Sequence, residues 1–300
     1  MASIFTVDVE DWYQTNGLNI EPSSWSSYED RVYRNTMKVL ELLGRFGVSA
    51  TFFVLGCVAQ KHPGLVREIQ RAGHEIGSHG GWHQMVNRMS LRQFRDDLRF
   101  SIDVLQYITG EPVRYYRAPS WSISPDRYAA LSIMEEEGIV CDSSLQPFRT
   151  PLSGNKGVPV HPFRPVVDGR RLNLLEIPST VLKWGGATIP FSGGFYLRFW
   201  PSWFSSWALR HVHSTRVGMI YIHPWELDPD FPRLKNLPPL IQLAQYYNLR
   251  SMEKKVATLL EHYSFTTMGQ FIAAHSFPEF ELHSLQRSGV PEPGHEGIRP

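Results

Sequence analysis

His79 and His83 stand four apart in His-Gly-Gly-Trp-His. On a helical turn that spacing brings both imidazoles to one side, where their ring nitrogens can share a divalent cation. One nearby carboxylate would complete a two-histidine, one-acid set and leave positions open for water and substrate. Acids occur together at Asp8-Val9-Glu10-Asp11. Alternation along an extended chain puts Asp8 and Glu10 on one face and Asp11 opposite. Three acids in four residues repel one another, which a cation would relieve. Arg117, in Arg-Ala-Pro-Ser-Trp, is placed to hold a carboxylate such as Asp8 in its charged form. His223 follows the apolar run Met219-Ile-Tyr-Ile222, and Asp142 opens Asp-Ser-Ser. Each has a plainer reading: exposed loop histidines, a solvated acidic turn, a surface arginine, a neutral histidine packed under Trp225. The elements that carry them separate the two readings.

Polar groups at the carboxyl ends of parallel strands are where barrel and open-sheet enzymes build their sites. Ser3–Val7 reads as a strand ending in the acids, and Ala50–Leu55 as a buried strand. His74–Ser78 leads into His79, Val113–Tyr116 into Arg117, Ile139–Cys141 into Asp142, and Met219–Ile222 into His223. Between them, helical periodicity runs over Arg31–Phe46, Pro63–Ala72, Ser90 to about Ile108, and Pro125–Glu137. Strand and helix alternate with polar residues at the strand ends, which predicts an α/β fold with a mostly parallel sheet or barrel. From Leu152 to Phe191 the rhythm breaks into Pro- and Gly-rich sequence, with a short strand near Leu174–Ile177. Helices over Pro201–His213 and Arg250–His262 and a terminal strand–helix follow. A single domain over 1–277 is expected, with 229–277 an extension packed on it and 278–300 a flexible tail.

The 300 residues carry 30 Lys+Arg against 29 Asp+Glu, a net charge of +1. That balance argues against a nucleic-acid binder working through a broad basic surface. With 42% hydrophobic residues the chain can bury a large core. Two cysteines, Cys57 and Cys141, exclude a disulfide scaffold and a four-thiolate zinc site. No apolar run approaches the roughly 18 residues of a membrane span, and the first residues lack a secretory pattern, so a cytoplasmic location is expected. The aromatic stretch Phe195–Trp207 reads first as a core-facing helix. It reads second as a sugar-stacking wall, or as a surface resting on a membrane interface.

The ordered motifs resemble the polysaccharide deacetylases of carbohydrate esterase family four. They are the acids at 8–11, the His79/His83 pair, Arg117-Ala-Pro119, Asp142-Ser-Ser144 and His223, spanning about residues 4–226. The strings Thr-Val-Asp-Val-Glu-Asp-Trp, Gly-His-Glu-Ile-Gly-Ser-His-Gly, Gly193-Gly-Phe-Tyr-Leu-Arg198 and His-Pro-Trp-Glu-Leu-Asp resemble an exosortase-associated exopolysaccharide subgroup with a C-terminal extension. The resemblance implies a distorted (β/α)7 barrel with that helical extension and metal-assisted removal of N-acetyl groups. The substrate would be an acetylated sugar, an oligosaccharide or a lipid-linked glycan, with peripheral membrane contact compatible. A divalent metal, zinc by expectation, would be held by His79, His83 and Glu10 or Asp11. Asp8 would be the base, steadied by Arg117, and His223 the acid, oriented by Asp142. Pro119, Trp121 and Trp225 would touch substrate, and a backbone N–H near Ser120 or Trp121 would face the oxyanion. The commonest family motif has adjacent aspartates where this chain has Asp8-Val9. A related branch with Asp-x-Asp maps the base to Asp8 and the ligand to Glu10, and Asp11 competes for the second role. Some relatives of that branch hydrolyse cyclic amides without a metal, so a metal-independent hydrolase and a non-catalytic sugar-binding relative are the rival readings.

Overall fold

Apolar strands flanked by amphipathic helices can bury both faces only in a layered or closed sheet, and the chain closes. A computed structural model describes residues 2–283. The first half runs β1 (Ser3–Val9), α1 (Val32–Arg45), β2 (Thr51–Val54), α2 (Gly56–Lys61), α3 (Pro63–Arg71), β3 (Glu75–Ser78), α4 (Leu91–Thr109), β4 (Tyr115–Tyr116), α5 (Ala129–Glu136) and β5 (Cys141–Asp142). The irregular middle holds β6 (Arg164–Val167), β7 (Arg170–Arg171), β8 (Leu175–Glu176) and the hairpin β9 (Val181–Trp184) and β10 (Ala187–Pro190). Then come α6 (Gly194–Phe199), α7 (Ser202–His213), β11 (Met219–Ile222), α8 (Pro239–Tyr246), α9 (Met252–His262), β12 (Phe265–Thr266), α10 (Met268–Ala273) and β13 (Glu279–Leu282).

The main sheet is parallel throughout, in the order β11-β1-β2-β3-β4-β5-β8, with β12 paired to the foot of β1. Phe5, Val7, Val9, Phe52 and Val54 are wholly buried, as central parallel strands require. Between β8 and β11 the wall is completed by irregular chain. Met219 N–H donates to Thr180 Oγ1 (2.8 Å) and Tyr221 N–H to Ser192 O (3.1 Å). Gly193 is needed there for close approach, since a Cβ would lie 2.2 Å from Tyr221 O. The result is the curled, distorted (β/α)7 half-barrel. Every strand of the main sheet points its carboxyl end to the same rim, which collects the polar residues.

The expected elements form, within one or two residues at most ends. Ser90 caps α4 in a reciprocal box with Gln93, and Gly110, at φ 70°, ends it. The helix expected from Pro125 starts as a 3₁₀ turn (Pro125–Arg127) and continues as α5. Three short helices, α2, α6 and α8, are additions, each too brief for its periodicity to register. The β9–β10 hairpin turns at Gly185-Gly186, both in the left-handed region. The tail expected from residue 278 is corrected over its first residues: 279–282 form β13, which pairs in parallel with β6. Alternating Glu and apolar residues in Glu-Phe-Glu-Leu suit such an edge strand, and Leu282 is buried. The rest of that stretch, from 284, lies outside the described residues.

Candidate active site

β1 delivers Asp8 and Glu10 to the rim, 2% exposed each, and β3 delivers His79 just past its end. His83 follows on a tight loop with φ 51°, a left-handed conformation that non-glycine residues rarely adopt. Asp97, from α4, holds that loop by accepting from Gly81 N–H (2.7 Å) and Trp82 N–H (3.2 Å). The loop carries His79 and His83 to within 5.2 Å, ring centre to ring centre. One ligand-type atom from each of Glu10, His79 and His83 lies within 4.8 Å of the others.

Three details bear on whether a cation fits. His79 Nδ1 sits 2.8 Å from Arg117 O, which can only accept, so Nδ1 holds the proton and Nε2 keeps a free lone pair. Burial first, and His83 beside it, bring the His79 pKa down to about 4, which favours the neutral, ligating ring. Glu10 Oε2 lies 2.6 Å from His83 Nε2 yet makes no hydrogen bond among the described residues. Burial pushes the Glu10 carboxyl up, but His83, His223 and His79 overcome it and hold the pKa at about 2. A charged, underbonded carboxylate facing two imidazoles is the donor set of a divalent-cation site, and these residues fit one.

Asp11 is not part of it. β1 turns after Val9, and Asp11 points away to the start of α1. Its carboxylate accepts from Trp12 N–H (2.8 Å), Arg31 N–H (2.6 Å) and Val32 N–H (3.0 Å). The sequence expectation of Asp11 as an alternative ligand is therefore corrected: it anchors the helix amino-terminus, where orphan donors and the helix dipole favour an anion. Burial, ahead of those hydrogen bonds, raises its pKa to about 6.

Arg117 is wholly buried behind the rim. It donates to Asp8 Oδ1 (2.6 Å), Thr6 Oγ1 (2.8 Å), Ser143 Oγ (3.1 Å) and Ser143 O (3.3 Å). Phe53 and Trp121 lie 4.4 and 4.5 Å from its guanidinium carbon. The expected Asp8–Arg117 pair thus forms, with Asp8 Oδ2 left facing His223 Nε2 at 4.0 Å.

The orienting partner of His223 differs from expectation. His223 Nδ1 lies 3.0 Å from Glu226 Oε2, and Glu226 Oε1 takes Arg198 Nε at 2.7 Å, with Glu226 and Arg198 fully buried. Burial works to lower the His223 pKa, but Glu10, Glu226 and Asp8 outweigh it and raise it to about 9. Asp142 instead bonds Ser144 Oγ, which accepts from Ala118 N–H (2.8 Å), so it braces the 117–121 loop. Its register neighbour across β5–β8 is Glu176. Burial of two adjacent carboxyls drives both pKa values up, so the pair retains a proton. Residue type alone could not distinguish Asp142 from Glu226 as the orienter. The spacing His223-x-x-Glu226 was a usable signal, because it matches a one-turn hydrogen bond.

The three residues expected to touch substrate also pack against the site's own groups. Trp225 stacks on His223 (5.5 Å, 19°) and donates from Nε1 to Glu10 Oε1 (3.2 Å). Trp121 covers Arg117, and its N–H is taken by Ala118 O (3.0 Å), so it is not free for an oxyanion. Pro119 is buried and lies beside Gly80. Asn16 was missed: its Nδ2 donates to Ser120 Oγ (2.9 Å) and lies 3.3 Å from His83 Nδ1. Nothing around Asn16 in the sequence singles it out, for it comes from a separate turn.

One rim of a parallel half-barrel thus collects an acid, two histidines, an arginine-paired aspartate and a carboxylate-backed histidine. Residues 19–136 match the polysaccharide deacetylase family, and residues 143–273 match a domain of unknown function, DUF3473. That match gives the chain a polysaccharide deacetylase domain over residues 19–136. Over 84 residues it is 32% identical to the peptidoglycan-N-acetylglucosamine deacetylase of Bacillus cereus, covering 28% of this chain and 30% of that one. It spans less than half the length of the curated relatives it matches. In fold it is similar to a Mycobacterium smegmatis protein described as a polysaccharide deacetylase, with TM-score 0.58 and 19% identity over 97% of this chain and 96% of that one. It is equally similar to the Puue allantoinase, with TM-score 0.58 and 18% identity over 91% and 89% of the two chains.

Proposed function

We propose that this protein is a metal-dependent hydrolase that removes N-acetyl groups from an acetamido sugar of an exopolysaccharide or other cell-surface polysaccharide. The observation that carries the proposal is the meeting of three units on one rim: Asp8 on Arg117, the Glu10–His79–His83 trio, and His223 on Glu226. Glu10, His79 and His83 would hold the ion, and their nitrogen and oxygen donors suit zinc. A bound ion would polarise the acetamide carbonyl and make water a better nucleophile.

The chain's own residues do the proton work. Asp8 Oδ2, the oxygen that Arg117 leaves open, accepts the proton of the attacking water. His223 Nε2 gives its proton to the departing sugar nitrogen as the C–N bond breaks, so acetate and a free amine leave. Glu226 keeps the His223 ring in the orientation that presents Nε2. Arg117 fixes Asp8 through Oδ1 without blocking Oδ2.

Acetate release from N-acetylated sugars, oligosaccharides and lipid- or nucleotide-linked precursors tests this reading, using chelated protein and the same protein given back zinc or cobalt. Release restored by metal and lost by roughly 10²–10⁴-fold in Asp8→Asn is the expected outcome. Full acetate release after exhaustive chelation would overturn the metal dependence. Hydrolysis confined to cyclic amides would overturn the deacetylase reading.

A further inference from the structure

Helix α7 buries one apolar side and also exposes large aromatic rings. Ser205, Ala208, Leu209 and Val212 face the core, while Trp203, 70% exposed, and Trp207, 37% exposed, face outward. Trp184 of the β9–β10 hairpin stacks edge-on with Trp207 at 4.9 Å. On the other flank Phe199 of α6 lies 6.2 Å from Tyr247, which follows α8, and α8 exposes 78% of Leu240. A run of ring contacts thus joins the hairpin through Trp207, Phe204, Trp200 and Phe199 to Tyr247 beside α8, larger than isolated surface hydrophobics explain.

The charge pattern over the same segments is one-sided. No Asp or Glu occurs from Ile177 to Trp225, nor from Phe231 to Met252, although the chain has 29 of them. Cations do occur there: Arg210 is exposed on α7 with no ion pair among the described residues, and Lys183 is exposed on the hairpin beside Trp184, bonded to Thr188 Oγ1 (2.6 Å). Indole and phenol rings favour the water–lipid boundary, where an apolar body and a polar tip are both satisfied. Exposed lysine and arginine without neighbouring acids are attracted to anionic headgroups.

We propose that the face formed by the β9–β10 hairpin, α6, α7 and α8 docks the protein onto the interface of an anionic lipid bilayer. Arg198 projects from α6 in the opposite direction, inward to Glu226, so the docked face backs directly onto the His223 side of the rim. A glycan carried at the bilayer surface would then meet the rim without the protein leaving the lipid.

The test needs no substrate. The full chain is floated with vesicles of phosphatidylcholine containing about one-third phosphatidylglycerol, and with phosphatidylcholine alone. Partition into the anionic vesicles, with tryptophan quenching by brominated acyl chains, is expected. Trp203→Glu and Leu240→Glu lie on different helices at exposed positions. Each should reduce partition by roughly tenfold while the unfolding temperature stays unchanged. Absence of partition at low salt, or equal partition by both variants, overturns the proposal. So does a dimer in sedimentation equilibrium that Trp203→Glu dissociates, which would give the face to a second copy. Retention on an N-acetylated glycan chain that Trp203→Glu abolishes, without vesicle binding, would also overturn it.

Discussion

Glu10 and Asp11 are adjacent acids with opposite jobs, and exchanging each for alanine should break different properties. Asp11 accepts three backbone N–H groups at 2.6–3.0 Å, two of them at the start of α1. A hydrogen bond to a charged group contributes about 1.5–3 kcal/mol. For the charge itself burial outweighs those bonds, as the rise of its pKa to about 6 shows, so the stability at stake lies in the donors that Asp11 satisfies. Removing it leaves three donors without their acceptor, and the loss in Asp11→Ala should be about 3 kcal/mol. At roughly 2–4 °C per kcal/mol for a chain of this size, the unfolding temperature should fall by about 6–12 °C. Zinc stoichiometry, measured by equilibrium dialysis on the folded variant, should not change. Glu10→Ala should do the reverse. It removes the one carboxylate of the trio, so zinc affinity should fall on the order of 100-fold, with a far smaller change in unfolding temperature. An Asp11→Ala protein of normal stability that no longer binds zinc would refute this division, as would a Glu10→Ala protein with unaltered zinc affinity.

In metal-free protein, NMR should show His223 protonated up to about pH 9, because its raised pKa keeps the proton until the pH climbs through that value. Glu226→Gln removes a charge-assisted bond and should lower it by about 1–2 pH units, moving the alkaline limb of kcat/KM to lower pH; an unmoved limb would exclude Glu226 as the orienter. Arg117→Lys keeps the charge but loses the fork that spans Asp8 and Ser143 and the stack on Phe53 and Trp121. Its kcat should fall roughly 100-fold with zinc affinity preserved, and a loss under threefold in steady-state assays would count against the positioning role. Gly193→Ala puts a Cβ 2.2 Å from Tyr221 O, a backbone atom that cannot swing aside. Urea unfolding should register a loss of about 3 kcal/mol, and a wild-type midpoint would mean that the wall there is looser than described.

Much of this arrangement was written in local pattern. Strand β1 was recognisable over Ser3–Val7 because a buried parallel strand is a mostly apolar run, and it continues through Asp8 to Val9. Helix α4 was bounded by its Ser90 cap and Gly110 because capping is decided within four residues of chain. The same rule located His79, Arg117 and His223 at strand ends, and from that the shared rim followed. Which partner each group takes was not local. Asp11 and Glu10 differ only in where the chain turns after Val9, and α1, twenty residues on, supplies the donors that claim Asp11. Asp142 and Glu226 are both acids near strand ends, yet only Glu226 reaches His223, while Asp142 is held by Ser144 and Glu176. Asn16 and Asp97 joined the site from other segments with nothing nearby to mark them, and Arg198, though it closes the string Gly193–Arg198, gave no sign that it would meet Glu226. Strand periodicity and caps act over a few residues, so the chain alone places acids and histidines at the rim. Hydrogen-bond partners depend on distances set by packing across the half-barrel, so what each residue touches emerges only on folding.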